Sequence, residues 1–67
     1  MDLVMNIDNY CAKQGITVQE FERKCQIAHS LVRKWRLGRQ EPSLKTMKKI
    51  SEATGISIDK WTMENGV

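Results

Sequence analysis

Glycine divides this sequence into segments whose apolar residues recur at helical spacing. Gly15, Gly38 and Gly55 each follow such a segment, and helices commonly end at a residue that tolerates positive φ. In the first segment Ile7 and Cys11 are spaced to lie on one face of a helix. The helical segments use nearly all of the 67 residues, so few remain for strands. The sequence therefore predicts an all-α fold.

Polar residues mark where two of the five expected helices begin. Thr17 and Glu20 have the spacing of a capping box, in which each residue hydrogen-bonds the backbone of the other. Ser43 is placed to cap the fourth helix. The first, third and fifth helices are expected at about residues 3–14, 28–37 and 57–64.

The periodicity also predicts which side chains face the core. Charged residues of the second helix, Glu22 among them, are expected on its outer face. Trp35 and Trp61 have the phase of core residues rather than of exposed stacking platforms. The other expected core residues of helices two to four are Val18, Phe21, Cys25, Ala28, Leu31, Val32, Leu44, Met47, Ile50 and Ala53.

Positive charge is concentrated in residues 33–39. The chain has 11 Lys and Arg, 8 Asp and Glu and a net charge of +3. Residues 33–39 contain no acid but four bases, which are Arg33, Lys34, Arg36 and Arg39. The remaining bases do not outnumber the acids, so this block supplies the whole excess. A basic block on a nearly neutral domain points to a polyanion or an acidic protein surface as partner.

Several function classes are not supported by the sequence. There is no apolar run near the roughly 20 residues of a membrane span and no basic start of a signal peptide, so we expect a cytoplasmic protein without a membrane partner. Cys11 and Cys25 lack metal-ligand spacing and are expected to be reduced core thiols. No phosphate-binding loop or hydrolase motif is present. We therefore expect no catalytic residue, no metal, no cofactor and no enzyme.

A short connection followed by a helix with a basic polar face is typical of a helix-turn-helix. Residues 15–21, 37–47 and 55–59 carry short signatures in the order and spacing of the phage repressor and Cro class, the Xre type. The chain resembles that class from about residue 7 to residue 61. The resemblance implies a compact, lambda-repressor-like five-helix bundle, with residues 1–67 as one domain. The helix-turn-helix would cover about residues 17–37, and a C-terminal tail about residues 63–67.

The resemblance also implies which residues contact DNA, because it places the third helix in the major groove. Leu31 is expected either to touch a thymine methyl or to join the core. The implied base contacts are His29, Ser30, Arg33 and Lys34. The implied phosphate contacts are Gln19, Arg36, Gly38 and Arg39.

The chain departs from the family pattern within the helix-turn-helix. Val18 replaces a phosphate-binding Gln, whose contact is lost or moves to Gln19, and Glu22 replaces a small Ala. Gln26 stands where the turn often has Gly, and a positive φ there would cost about 1 kcal/mol. Ala28 replaces a Ser or Thr cap, so a weakly capped third helix is expected.

A further departure concerns a pair of charges. Many family members pair an Arg in helix one with a Glu near the end of helix three, and those positions are Cys11 and Arg36 here. The simultaneous loss of both charges avoids an unpaired buried ion. Arg36 is therefore expected to be free to face a phosphate.

Together these features predict a sequence-specific DNA-binding transcriptional regulator, similar to a small phage or mobile-element repressor. Its partner would be double-stranded DNA, bound as a homodimer on half-sites about one DNA turn apart, with no small-molecule ligand. The segment after Trp61 either forms the dimer interface or closes the fold. The alternative function is an antitoxin-like or adaptor-like protein-interaction module with little specific DNA binding, which the departures at Val18 and Ala28 favour.

Overall fold

The computed structural model describes residues 2–67. These residues form five α-helices and no strand, which confirms the all-α prediction. The helices are α1 (Leu3–Gln14), α2 (Val18–Lys24), α3 (Leu31–Arg36), α4 (Leu44–Thr54) and α5 (Ile58–Thr62). None of these described helices is long and apolar enough to cross a membrane.

Side-chain hydrogen bonds begin α2 and α4 at the predicted residues. The N–H of Glu20 donates to Oγ1 of Thr17 (3.1 Å), and the N–H of Thr17 donates to Oε1 of Glu20 (3.0 Å). This is the predicted capping box. The N–H of Thr46 donates to Oγ of Ser43 (3.2 Å) at the start of α4. α1 ends at Gly15, whose φ of 67° lies in the left-handed region that glycine adopts without strain.

Three aromatic rings from three helices meet at the centre of the core. Tyr10 of α1, Phe21 of α2 and Trp61 of α5 have ring centroids 5.6–5.8 Å apart in tilted or edge-on geometry. Such rings contribute stabilisation beyond the area that they bury. The other buried apolar side chains are Leu3, Ile7, Cys11, Cys25, Val32, Trp35, Met47 and Ile50. Trp35 and Trp61 are thus both core residues, as predicted.

A buried asparagine ties the segment after α5 to α1. The side-chain amide of Asn6 donates to the carbonyl oxygens of Trp61 (2.7 Å) and Met63 (2.8 Å). Its oxygen accepts from the N–H of Val67 (3.3 Å), and Asn9 donates to the Val67 carbonyl (3.3 Å). Asn6 is completely buried. The segment after Trp61 therefore closes the fold against α1.

Two predicted core positions are wrong. Leu44 is 64% exposed, because it lies one turn before Met47 on the apolar stripe and beyond the part of α4 that packs. Ala28 is exposed, because α3 begins only at Leu31. Ser30 has a φ of 66°, which a right-handed helix does not accommodate, so the helix cannot start earlier.

Candidate nucleic-acid interface

The connection between α2 and α3 is longer than the short connection that the sequence predicts. It runs from residue 25 to residue 30 and contains two non-glycine residues with positive φ, Gln26 (57°) and Ser30 (66°). The expectation for Gln26 is thereby confirmed. The side chain of Lys49 donates to the Gln26 carbonyl (3.4 Å), so α4 supports the turn. The turn has a defined but strained shape.

Glu22 lies inside the helix-turn-helix, which corrects the prediction that it faces outward. The residue is 3% exposed. Its Oε1 accepts from the N–H of Ser30 (3.2 Å), and its Oε2 accepts from the N–H of Val32 (3.0 Å). A carboxylate from α2 thus takes the place of a local cap on α3.

Sequence reasoning missed this contact, although two substitutions signalled it. Ala28 removes the usual oxygen at the start of α3, and the Ser30 side chain makes no capping hydrogen bond. An acid stands at the facing position of α2, where the family usually has Ala. One contact accounts for both departures, because the α2 carboxylate supplies hydrogen bonds that no residue next to α3 provides.

The predicted base-contacting residues lie along the outer side of α3 and the turn before it. Val32 and Trp35 are buried, which leaves Arg33 and Lys34 exposed on the opposite side of the helix. His29 and Ser30 precede α3 instead of belonging to it. The fold therefore presents two basic side chains on the helix and two polar side chains just before its first residue.

The predicted phosphate contact Gln19 lies next to the turn. Gln19, His29 and Arg23 line one shallow recess between α2 and the turn. Gln19 and His29 are both exposed. The structure thus brings a residue of each predicted contact class together at the α2 side of the surface.

Arg36 has a partner on α1, so the expectation that it is free is wrong. Its guanidinium donates to both carboxylate oxygens of Asp8, with 2.9 Å for each contact. These hydrogen bonds raise the pKa of Arg36 above its ordinary value. Asp8 lies one turn before Cys11, which occupies the position of the Arg in the family pattern. The pair of α1 and α3 charges is present with reversed polarity and a shifted register.

Gly38 and Arg39 form the exposed turn after α3. The Gly38 N–H donates to the Trp35 carbonyl (3.1 Å), and the Arg39 N–H donates to the Lys34 carbonyl (2.9 Å). Both amides are therefore engaged in ending the helix, and the Arg39 side chain is the exposed cation of this turn.

The described residues contain no cluster of side chains able to hold a metal ion. Cys11 and Cys25 are both buried and unbridged, which confirms the prediction that they lie in the core. Burial raises the pKa of Cys25 to about 11 and also raises that of Cys11. Both are therefore neutral thiols at ordinary pH.

The comparisons with known proteins agree with this geometry. A family model described as "Helix-turn-helix" matches residues 7–61. A protein of Haemophilus influenzae described as an uncharacterized HTH-type transcriptional regulator is 42% identical over 40 residues. That match covers 60% of this chain but only 17% of the relative, so the chain spans about a sixth of that protein. No solved structure matches the chain.

Proposed function

We propose, since this chain belongs to the helix-turn-helix family, that it is a transcriptional regulator that reads DNA sequence with α3 and the turn before it. The family match and the regulator-type relative support a DNA-binding regulator and not an enzyme. One observation carries the finer proposal: burial of Val32 and Trp35 turns Arg33 and Lys34 outward on the helix that follows the turn. Double-stranded DNA, a polyanion whose major groove exposes base edges, fits that surface.

The reading surface has the dimensions of a major-groove element. α3 is one α-helix, about 10–12 Å in diameter with its side chains, and the major groove is about 12 Å wide. Arg33 and Lys34 would donate to guanine O6 and N7. Ser30 and His29 can each donate or accept a hydrogen bond, so they would read base edges at the entrance of the helix.

Phosphate contacts would flank this surface on both sides. Gln19 approaches from the first turn of α2, and Arg39 approaches from the turn after α3. The amide of Gly38 is engaged in ending α3, so this residue would contribute only space, because the absence of a side chain lets the backbone come close to the duplex. Arg36 would reach a phosphate while paired with Asp8, or would exchange Asp8 for it. These contacts supply affinity and orientation, and the base contacts supply specificity.

We further propose that the protein acts as a homodimer on two half-sites and resembles a small phage or mobile-element repressor in its mode of action. One α3 contacts few base pairs, and a second copy about one DNA turn away multiplies the discrimination. Occupying an operator needs neither a cofactor nor a small-molecule ligand.

A fluorescence anisotropy titration tests the proposal. The full chain is titrated against duplexes from the DNA upstream of its own gene and against shuffled duplexes of equal composition, at several salt concentrations. We expect a preference for one upstream duplex and a log-log salt slope of about −0.9 for each phosphate contacted. Equal affinity for all duplexes, or no binding at low salt, would contradict it.

The alternative of a protein-interaction module has lost part of its support. It depended on the departures at Val18 and Ala28, but Glu22 supplies the cap that Ala28 lacks. Only the missing Gln at Val18 still favours it. A partner that remains bound after nuclease treatment, together with absent DNA preference, would restore this alternative.

A further inference from the structure

The start of α3 has no cap from its own neighbourhood in the sequence. Ser30 occupies the capping position with positive φ, and its hydroxyl makes no capping hydrogen bond. Ala28 has no oxygen in its side chain. The Leu31 N–H donates to the Ala28 carbonyl (3.2 Å). The amides of Ser30 and Val32 therefore depend on a distant residue.

Glu22 satisfies both amides with one buried side chain. Each carboxylate oxygen accepts one N–H, from Ser30 at 3.2 Å and from Val32 at 3.0 Å. A fork with two contacts fixes the direction of a helix as well as its distance, since a single hydrogen bond leaves rotation about itself. The negative charge also lies at the positive end of the α3 dipole.

The residues around Glu22 hold it firmly on α2. Phe21 is completely buried in the aromatic core next to it, and the capping box of Thr17 and Glu20 fixes the start of the same helix. Glu22 therefore links a rigid helix to the first residues of α3. The candidate base contacts His29, Ser30 and Arg33 all lie within one residue of the two capped amides.

From this geometry we propose that Glu22 is a positioning residue that sets the orientation of α3 for reading bases. It touches no DNA itself. The inference rests on the proposed DNA-reading function, and it identifies the contact that determines specificity within it. Without the two hydrogen bonds from Glu22, the start of α3 changes its orientation and its side chains no longer align with the base edges. The electrostatic attraction to phosphates persists.

Two substitutions distinguish the effect of the Glu22 charge from the effect of its side-chain length. Glu22→Gln keeps the length, but it places an amide donor against one backbone N–H and loses the charge. Glu22→Asp keeps the charge, but it is one methylene too short to reach both amides from the same backbone. Glu52→Gln is the matched control, because it changes the net charge equally at an exposed site on α4.

The measurements are hydrogen exchange of the Ser30 and Val32 amides and the ratio of affinities for operator and shuffled DNA. We expect these two amides to exchange faster in both Glu22 variants. The ratio of affinities for operator and shuffled DNA should fall by about tenfold or more, since a hydrogen bond to a charged group is lost. Binding to shuffled DNA should match Glu52→Gln for the Gln variant and the wild type for the Asp variant.

The outcomes are distinguishable. Faster amide exchange with an unchanged affinity ratio overturns the positioning role and leaves Glu22 a structural residue only. Wild-type exchange in both variants overturns the cap itself. If the wild type shows no operator preference, the proposed function fails first. If the Gln variant does not fold, the Asp variant, which retains the charge, gives the same readouts.

Discussion

Asp8 of α1 and Arg36 of α3 form a bidentate ion pair whose two contacts are both 2.9 Å. The pair joins the first helix to the end of the proposed reading helix. Its side chains are 44% and 48% exposed, so water screens it and its contribution to stability is about 1 kcal/mol or less. Its larger effect is on Arg36, whose charge it partly neutralises beside the proposed DNA surface.

Replacing Asp8 with Asn should therefore alter DNA binding more than folding. We expect Asp8→Asn to lower the free energy of unfolding by about 1 kcal/mol or less. It should strengthen binding to all duplexes at low salt, because Arg36 is then available to a phosphate. Glu64→Gln, exposed and equal in charge change, is the control. Equal DNA affinities of the two variants would show that Arg36 contributes no phosphate contact.

Arg33 and Arg39 allow a matched comparison of base and phosphate contacts. Each substitution to Ala removes one positive charge, so general electrostatic attraction falls equally. Arg33→Ala should lower the operator preference by about 1–3 kcal/mol, whereas Arg39→Ala should weaken operator and shuffled DNA alike. Anisotropy titrations of both variants over a salt series measure this. Identical profiles would contradict the assigned roles.

Asn6 should be the polar residue with the largest effect on stability. Asn6→Ala leaves the buried carbonyl of Trp61 and the partly buried carbonyl of Met63 without this partner, and we expect a loss of about 2–3 kcal/mol in the free energy of unfolding. Asn9→Ala is the control, because it removes one longer hydrogen bond of 3.3 Å to Val67. Urea denaturation of the two variants measures the difference. Equal midpoints would show that the segment after α5 is held by other contacts.

Gln26→Gly should stabilise the protein. Gln26 has a φ of 57°, a conformation that costs a residue with a Cβ about 1 kcal/mol and that glycine adopts freely. Its carbonyl, which accepts from Lys49, is retained in the variant. We expect a rise in Tm of about 4–8 °C by thermal denaturation. Gln40→Gly, at an exposed loop residue without positive φ, should not stabilise. A lower Tm for Gln26→Gly would contradict strain in this turn.

The raised pKa of Cys25 should make the free energy of unfolding fall at alkaline pH. Burial raises its pKa from 9.0 to about 11 in the folded chain, so between these values the unfolded thiol ionises while the folded one stays neutral. The stabilisation is complete below pH 9 and is lost as the pH rises towards 11, by about 1.4 kcal/mol for each pH unit. Cys25→Ala should flatten this fall in denaturation curves recorded from pH 8 to pH 11. An equally steep fall in the variant would assign it to other groups.

Local sequence signals predicted most of the fold. The Thr17 capping box, the helix end at Gly15 and the buried Trp61 depend on spacing within a few residues, and all are as predicted. The positive φ of Gln26 was also predictable, because it concerns one backbone position.

The errors concern contacts between helices. Glu22 looks like a surface acid within α2, and its role appears only when the start of α3 lies beside it. The family pattern places the partner of Arg36 at the position of Cys11, whereas its actual partner, Asp8, lies one turn earlier on α1. Leu44 has the right phase but lies beyond the end of the packed surface. Periodicity gives the face of a helix, and it does not give how far a neighbour extends along it.

The hydrogen bonds from Asn6 to the residues around Trp61 affect when the chain can complete its core during synthesis. The hydrogen bonds of Asn6 connect it to residues that lie 54 to 61 positions later in the chain, and Trp61 of the same region fills the centre of the core. Closing so long a loop costs entropy that only the completed contacts repay. A nascent chain whose Trp61 is still inside the ribosome therefore lacks the side chain that fills the centre of its core, and the core is completed only after that residue has emerged.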